Sequence, residues 1–436
     1  MARQPEALLC DALRRPSHLG GDGGHAGQPV RKAEGPMNPT GTVIDQPWLT
    51  ADGAAEVMRA LRAEGGTARF VGGCVRDALL GRAVRDIDVA TDCPPQTVIR
   101  LLQAAGLKAV PTGIDHGTVT AIACGHPYEV TTLRLDVETD GRRAVVAFTD
   151  SWLEDARRRD FTFNALYADP DGAVYDPTDG LADLKAGRVR FIGDPYRRIE
   201  EDALRILRFF RFHAWFGRGT LDAAGLEACG ARREDLDRLS VERVRAEMLR
   251  LLEAPSPMAA LRAMAGAGVL ARVLPEGTAM ACLERLVALG PEDPLLRLAA
   301  LTCRRHDVLS GLALRWKLSL RDRTRLRAMA SGEAAVPADL LETDARSQIY
   351  WLGAERFRDL ALLDWACDGH DRSRLVALAE RWQAPSFPVK GADIVGSGIP
   401  QGQRVGAALR ALERQWVEEG FEPSRAELLA RLDSLE

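Results

Sequence analysis

The hydrophobic and polar positions divide the chain into two parts with different periodicities. In the first part, up to about residue 192, short apolar runs alternate with amphipathic segments. Strands that alternate with helices are typical of an α/β domain. The segments predict helices over 49–66 and 96–105, and strands over 119–123, 128–133 and 145–148.

From about residue 218 onward, apolar positions recur with a helical period, and Gly and Pro separate successive segments. This pattern predicts a second, all-α part. Residues 1–36 show no sustained period, and the acidic residues Glu6 and Asp11 are atypical of a mitochondrial transit peptide. We expect these residues to be a disordered extension, with Met37 as a candidate start site.

The segment 70–92, FVGGCVRDALLGRAVRDIDVATD, carries candidate chemistry. A strand-like run precedes a double glycine (72–73), whose backbone N–H groups can approach an anion, and Arg76, which can bind phosphate oxygens. Asp86 and Asp88 follow on a second strand, where residues two apart point to the same face. Paired carboxylates can hold divalent ions, and Mg²⁺ binds such oxygens together with substrate phosphates. The combination predicts a nucleoside triphosphate site.

The segment 197–216 is mostly apolar, which predicts a largely buried helix. At 100° per residue, Glu201, Arg205 and Arg208 share one stripe, and Asp202 lies beside it. Buried charges must be paired or must meet a ligand. A Glu201–Arg205 ion pair at i, i+4 is one explanation, but it leaves the other charges unexplained.

Base recognition is a second explanation for this helix. Cytosine and adenine each present an exocyclic amine next to a ring-nitrogen acceptor. Asp202 can accept from the amine and Arg205 can donate to the ring nitrogen. Uracil and guanine reverse this pattern, so the same pair would reject them.

Three arginines at 157–159 precede an apolar run that predicts a helix over 156–169. Arginines at a helix start oppose the helix dipole, which favours an anionic partner such as triphosphate or RNA. Pairing with Glu154, Asp155 and Asp160 is the alternative.

Glu129 lies on a predicted strand, where it is either a third carboxylate on the metal side of the sheet or an ordinary surface residue. The polar segment that follows, residues 135–150, predicts a hairpin or loop beside the site. Neither pattern decides between these alternatives.

Composition limits the remaining possibilities. Charged residues make up 28% of the chain and the formal net charge is −4, so nucleic-acid binding must come from local basic clusters. The 8 cysteines include no Cys-x-x-Cys pair, which argues against a zinc ribbon or a disulfide framework and for a reducing compartment. No apolar run approaches the length of a membrane span. We therefore expect a cytoplasmic protein.

Four ordered blocks resemble one family. They are the Gly-Gly-x-Val-Arg-Asp/Asp-x-Asp motif, RRDFTFNAL (158–166), YDPTDGLADL (175–184) and RIEEDALRILRFFRF (198–212). The chain resembles the class II nucleotidyltransferases that include the CCA-adding tRNA enzymes and the bacterial poly(A) polymerases. The resemblance implies a mixed α/β nucleotidyltransferase head followed by a helical neck, body and tail.

The resemblance also implies roles for particular residues. Asp86 and Asp88 would hold Mg²⁺ and form the catalytic pair. The incoming nucleotide would be bound by residues of the first part and of the predicted buried helix: Gly73, Arg76, Arg159, Asp202, Arg205, Arg208 and Arg211. The implied domains are an extension (1–42), the catalytic head (43–192), a neck (193–253) and a tRNA-binding body and tail (254–436).

The function implied is addition of C, C and A to the tRNA 3′ end from CTP and ATP, without a nucleic-acid template. A poly(A) polymerase is the first alternative, although the segment TGIDHGTVT (112–120) resembles the CCA-adding side. A partial enzyme that adds only CC or only A is a second alternative. An RNA-binding protein that has lost catalysis is the non-enzymatic one. No DNA or membrane partner is expected, and the sequence does not indicate an oligomeric state.

Overall fold

A mixed seven-stranded sheet organises the first part of the chain, in the order β3-β4-β5-β2-β1-β8-β9. The computed structural model describes residues 37–140, 143–330 and 334–432. Strands β2 and β5 run parallel, and the other neighbours are antiparallel. The strands are β1 (Ala68–Val71), β2 (Ile87–Thr91), β3 (Lys108–Gly113), β4 (Thr118–Ala123), β5 (His126–Thr132), β6 (Arg134–Asp140), β7 (Arg143–Phe148), β8 (Tyr167–Ala168) and β9 (Val174–Tyr175). Strands β6 and β7 pair separately as a hairpin, one of the two structures expected for residues 135–150.

Helices cover one face of the sheet because their apolar stripes match its apolar positions. Val57 and Leu61 pack with Val98 and Leu102 over the central strands, and all four are buried. The helices of this part are α1 (Asp52–Arg62), α2 (Gly73–Leu79), α3 (Pro95–Ala104), α4 (Trp152–Arg157) and α5 (Gly180–Ala186).

The rest of the described chain is helical. Several of its helices begin at a side-chain cap, as where Asp293 accepts the backbone N–H of Leu296. The helices are α6 (Pro195–Glu201), α7 (Leu204–Phe216), α8 (Ala223–Ala231), α9 (Val241–Glu253), α10 (Pro257–Gly266), α11 (Val269–Val273), α12 (Met280–Ala288), α13 (Pro294–Leu301), α14 (His306–Arg315), α15 (Leu320–Ala328), α16 (Glu342–Leu352), α17 (Ala354–Asp368), α18 (Ser373–Arg381), α19 (Gly391–Gly396), α20 (Gln403–Glu418) and α21 (Arg425–Ala430).

An aromatic cluster fastens α7 to the sheet-containing part. Four phenylalanine rings pack together in stacked, tilted and edge-to-face pairs, with ring centroids 4.8 to 6.4 Å apart: Phe161, Phe191, Phe209 and Phe212. Aromatic pairs contribute about 0.5–1.5 kcal/mol each beyond their buried area. The cluster therefore fixes α7, and the charges that it carries, against the sheet-containing part.

Two predictions about helices are wrong. The segment 197–216 is not one helix, because Asp202 has extended backbone angles (φ −153°, ψ 106°) and separates α6 from α7. The arginines at 157–159 do not start a helix either. They lie at the end of α4, where positive charge is favourable to the helix dipole.

The predicted fold class, a mixed α/β part followed by an all-α part, is confirmed. The domain boundaries at 42, 192 and 253 stay predictions, and the expected extension lies almost wholly outside the described residues. Of the helices in the described part, none is long and apolar enough to cross a bilayer.

Candidate active site

A cavity of about 410 Å³ opens where the double-glycine turn, the carboxyl end of α4 and the break between α6 and α7 meet. It collects residues that lie far apart in the sequence. Its lining consists of Gly72, Gly73, Arg76, Asp88, Arg159, Asp160, Asn164, Asp202, Arg205, Arg208 and Phe212.

The glycine turn shapes one wall of the cavity. Gly72 has φ +73°, a left-handed conformation that favours glycine, and its N–H donates to the Leu166 carbonyl at 3.0 Å. Gly73 begins α2, and a Cβ built on it would lie 3.8 Å from an Arg76 guanidinium nitrogen. The turn therefore brings backbone close to the cavity.

Three carboxylates lie on or next to adjacent strands, although Asp86, which was predicted to lie on a strand, precedes β2. Asp88 on β2 is the register partner of Glu129 on the parallel strand β5, so both side chains point to one face of the sheet. Asp86 is exposed just before β2. Burial raises the pKa of Asp88 to about 6, with repulsion from Glu129 and then Asp86 adding to the shift and Arg159 opposing it. The strand pairing thus places Glu129 on the same face of the sheet as Asp88. The sequence alone had left open whether Glu129 lies on this face.

This donor set fits a hard divalent cation. The mutual repulsion that raises the pKa of Asp88 is what a bound cation would relieve, and the donors are carboxylate oxygens. Within the described ranges, no three His, Cys, Asp or Glu side chains already converge into a complete coordination shell. Mg²⁺ usually takes one or two carboxylates from a protein and its remaining ligands from substrate oxygens, a number of carboxylates that this donor set can supply.

Arg159 is held by a buried carboxylate. Asp155, 1% exposed, accepts from Arg159 Nη2 at 3.0 Å, from Arg158 Nε at 2.8 Å and from the Tyr167 hydroxyl at 2.7 Å. Burial alone raises the pKa of Asp155, but Arg159 and Arg158 outweigh it and lower that pKa to about 2. Of the ion pairs considered for the arginine run, those of Arg158 and Arg159 with Asp155 are therefore present, whereas Asp160 pairs with Arg208, and Arg159 still lines the cavity.

A chain of hydrogen bonds crosses the floor of the cavity. Arg76 Nη1 donates to Asn164 Oδ1 at 2.7 Å, Asn164 Nδ2 donates to Asp160 Oδ1 at 3.0 Å, and Arg208 Nε donates to Asp160 Oδ2 at 2.8 Å. Burial opposes ionisation of Asp160, but Arg208 and these hydrogen bonds lower its pKa well below the usual range. The chain orients Arg76 and Arg208 toward the same space.

Helix α9 supplies anchors for the charges of α7. Glu247, 5% exposed, lies 2.7 Å from Arg211 Nε and 3.8 Å from Arg208 Nη1. Burial lowers the pKa of Arg211 to about 10 despite this carboxylate. The Arg211 guanidinium carbon lies 4.2 Å from the centre of the Phe212 ring. Arg211 thus packs behind the cavity wall and is not among the residues that line it.

Asp202 forms the helix break and Arg205 lies in the first turn of α7, and both line the cavity. Asp202 accepts the N–H of Leu204 at 3.1 Å and Nη2 of Arg243 at 2.7 Å. Arg205 forms an ion pair with Glu201 and donates to the Arg198 carbonyl at 2.7 Å. The Glu201–Arg205 pair, which was one of the two explanations considered for these charges, is therefore present. It leaves Arg205 oriented beside Asp202.

The structure brings together most of the predicted site. Seven of the nine predicted residues line the cavity: Gly73, Arg76, Asp88, Arg159, Asp202, Arg205 and Arg208. Asp86 and Arg211 lie beside it. Asn164 and Phe212 also line the cavity, although the sequence did not predict them as site residues. Asp160, which was considered only as a partner of the arginines at 157–159, lines it as well. A polar Asn inside the apolar run FTFNAL was the available signal, because a buried amide needs specific partners.

Comparisons with known proteins agree with this geometry. The model of the poly(A) polymerase head domain matches residues 68–190, and that of the probable RNA- and SrmB-binding site of polymerase A matches residues 220–280. The mitochondrial CCA tRNA nucleotidyltransferase 1 of Mus musculus is 33% identical over 411 residues, covering 88% of this chain and 90% of the relative. The CCA-adding enzyme of Levilactobacillus brevis is 33% identical, covering 84% and 93%.

A solved structure shows the same architecture. The Bacillus stearothermophilus CCA-adding enzyme, in complex with CTP, superposes with a TM-score of 0.72 at 28% identity, covering 90% of this chain and 98% of that one. Fold and sequence therefore define a nucleotidyltransferase. Within that class, the chain belongs to the family of CCA-adding enzymes, the CCA tRNA nucleotidyltransferases. Enzymes of this family normally use a divalent metal ion.

Proposed function

We propose that the chain adds C, C and A to the 3′ end of tRNA from CTP and ATP, with release of pyrophosphate and without a nucleic-acid template. The observation that carries the proposal is the single cavity that joins Asp88, the arginines Arg76 and Arg159, and the Asp202–Arg205 pair. The family membership supports it over most of the chain length.

Asp86 and Asp88 would hold Mg²⁺, with Glu129 as a neighbour that adds negative charge on the same face. When bound, the metal would lower the pKa of the attacking 3′-hydroxyl and neutralise charge on the triphosphate. Asp88 must be ionised to bind the cation, so its raised pKa makes metal binding weaker below about pH 6.

The cationic wall would bind the triphosphate. Arg76, Arg159 and Arg208 line one cavity, and each has its guanidinium fixed by a carboxylate or amide of the protein. An arginine that is already oriented loses less side-chain entropy when it binds phosphate. Arg211 would contribute positive charge from behind this wall.

Asp202 and Arg205 would read the base. Each keeps hydrogen-bonding capacity beyond its protein partners: a carboxylate has four lone-pair sites and a guanidinium five N–H donors. Asp202 accepts from the base amine while Arg205 donates to the ring nitrogen, a pattern shared by cytosine and adenine. Uracil and guanine would leave these polar groups unpaired or repelled, which costs several kcal/mol.

The helical part would bind tRNA, in line with the predicted neck (193–253) and body with tail (254–436). The match of residues 220–280 to a probable RNA-binding model supports this assignment. We propose a cytoplasmic location on the basis of the cysteine pattern. The Mus musculus relative is mitochondrial by name, and mitochondria are the alternative compartment.

A substitution that separates binding from chemistry tests the proposal. The Asp86→Asn/Asp88→Asn double variant should lose nucleotide incorporation by about 10³-fold or more, because the metal ligands are removed. Its affinity for a tRNA transcript should stay within about twofold. Equal incorporation by the variant and the unsubstituted chain would refute the assignment, and loss of tRNA affinity would show that these residues act through the fold.

A further inference from the structure

Two cysteines of the helical part lie in direct sulfur contact. Cys282 on α12 and Cys367 near the end of α17 have their Sγ atoms 2.8 Å apart, although 85 positions separate them in the sequence. A disulfide needs an S–S distance of about 2 Å, so only a small side-chain adjustment is required. Among the cysteines that the structure describes, no other pair is recorded in sulfur contact.

Packing holds the two helices in this relationship. Cys282 is 7% exposed and shares an apolar core with Leu363 and Ala366 of α17. Arg285 on α12 donates to the Cys367 carbonyl at 2.9 Å and also to the Ala366 carbonyl. These bonds satisfy carbonyls at the end of α17, where they have no intrahelical partner. The contact between the two sulfur atoms therefore depends on the packing of α12 against α17 and not on two mobile side chains.

The two thiols are chemically unequal. Cys367 is solvent-exposed and Cys282 is buried. A hydrogen bond from Cys282 is the main reason that the pKa of Cys367 falls to about 7; partial burial and Asp364 oppose this shift, and Arg304 and Arg285 favour the thiolate. The same contact, with burial, raises the pKa of Cys282. In such an arrangement the exposed thiolate can be oxidised to a sulfenic acid, and the buried thiol can then convert that sulfenic acid to a disulfide.

We propose that Cys282 and Cys367 form a reversible disulfide under hydroperoxide stress, a modification that ties α12 to the end of α17. The Cys367 thiolate attacks the peroxide O–O bond, giving a sulfenic acid and releasing hydroxide, which takes up a proton to become water. The Cys282 thiol then attacks the sulfenic sulfur, forming the S–S bond and releasing a second water. Two thiols lose two electrons and one hydrogen peroxide gains them, and a dithiol reductant reverses the bond.

The nucleotide cavity is not part of this site, since neither cysteine lines it. The disulfide would instead change the stability of the fold. Closing a long loop removes conformations from the unfolded chain, so the oxidised protein should melt at a higher temperature than the reduced one. Reduced Cys367→Ser protein should keep the nucleotide incorporation rate of the unsubstituted chain.

The test treats the reduced full-length chain with hydrogen peroxide, blocks the remaining thiols with N-ethylmaleimide and maps the peptides by mass spectrometry. The expected result is two fewer blocked thiols, a peptide that links Cys282 to Cys367, and full recovery after dithiothreitol. The melting temperature should rise on oxidation and should not rise in Cys367→Ser. The matched control is Cys303→Ser, which removes a nearby exposed thiol and should behave as the unsubstituted chain.

Other outcomes would overturn the proposal. A disulfide to Cys303, or sulfinic acid at Cys367 with Cys282 still free, would show that the pair does not resolve. Cys282→Ser, whose hydroxyl can still donate a hydrogen bond to Cys367 but cannot form a disulfide, should leave a sulfenic acid at Cys367 that dimedone captures. Should that variant fail to fold, the unsubstituted reduced chain gives the answer. In that chain, iodoacetamide should modify Cys367 faster than the exposed Cys124 and Cys303. Equal rates at the three cysteines would contradict the role of Cys367 as the reactive thiolate.

Discussion

Arg243 Nη2 donates a hydrogen bond to Asp202 Oδ2 at 2.7 Å across 41 positions of sequence. The bond joins α9 to the break between α6 and α7, where the chain is no longer fixed by helical hydrogen bonds. Leu204 N–H holds the other carboxylate oxygen at 3.1 Å. Asp202 is thus held by one backbone and one side-chain donor in the orientation that our proposal requires for reading a base.

The Arg243→Met variant should therefore lose base discrimination. A hydrogen bond to a charged group contributes about 1.5–3 kcal/mol, so we expect the preference for CTP over UTP to fall by about 10- to 100-fold. The measurement is kcat/KM for each nucleotide on a tRNA transcript that lacks CCA. Arg238→Ala is the control, because Arg238 is largely exposed and does not line the cavity. An unchanged CTP-to-UTP ratio in Arg243→Met would contradict a positioning role.

Asp88→Asn should stabilise the metal-free chain while it abolishes activity. The folded-state pKa of Asp88 is raised from 3.8 to about 6, so the folded chain binds more protons than the unfolded one between these values. Stability therefore falls as the pH rises from about 4 to 6 and stays lower above it. Two pKa units correspond to about 3 kcal/mol, as an upper figure.

Denaturant unfolding in EDTA, at about pH 4 and at pH 7, measures this effect. Asp88→Asn should be more stable than the unsubstituted chain at pH 7 and nearly equal to it at pH 4. Asp45→Asn, a substitution at an exposed carboxylate outside the cavity, is the control. A variant less stable than the unsubstituted chain at pH 7 would show that Asp88 is not under electrostatic strain.

Gly73→Ala tests the close approach of backbone to ligand. The new Cβ would make an ordinary contact, 3.8 Å from Arg76, so the melting temperature should change little. It would protrude toward the cavity and should raise KM for CTP and ATP by about tenfold. Gly72→Ala should instead lower the melting temperature, because its φ of +73° is strained for alanine. Unchanged KM in Gly73→Ala would exclude Gly73 from nucleotide contact.

Asp160→Asn should destabilise the fold. It replaces the ionised partner of Arg208 by a neutral amide and leaves that guanidinium with the more distant Glu247, at 3.8 Å, which costs about 3 kcal/mol. The pKa of Asp160 is lowered in the folded state, so its contribution is complete above about pH 4 and is lost as the pH falls further. Denaturant titrations should show that the difference in free energy of unfolding between the variant and the unsubstituted chain becomes smaller below about pH 4. A difference that does not change with pH would show that the lost stability comes from packing and not from the charge of Asp160.

The glycine turn and the paired aspartates could be predicted from sequence because their chemistry is local. Gly73, Arg76 and Asp88 lie within a short segment, and the structure places Asp88 on β2 with Asp86 just before that strand, not on it as predicted. The alternation of apolar segments likewise predicted the α/β and all-α parts.

The partners of the arginines could not be predicted in the same way. Arg208 pairs with Asp160 across 48 positions, and Arg211 pairs with Glu247 from another helix. Such contacts depend on tertiary packing, which hydrophobic periodicity does not encode. The break at Asp202 was also missed, because the apolar stripe continues through it and no Gly or Pro marks it. Its signal was an Asp able to bond the N–H two residues on.

Stepwise incorporation distinguishes CCA addition from the alternative functions of this chain. Three tRNA transcripts, ending before CCA, after C and after CC, are incubated with Mg²⁺ and each labelled nucleotide in turn, then with all four. We expect the chain to add C, C and A in order from CTP and ATP, the tRNA transcripts to stop growing at CCA, and UTP and GTP not to be incorporated. Unlimited addition of A to any RNA would indicate a poly(A) polymerase, and no incorporation would contradict an enzymatic function.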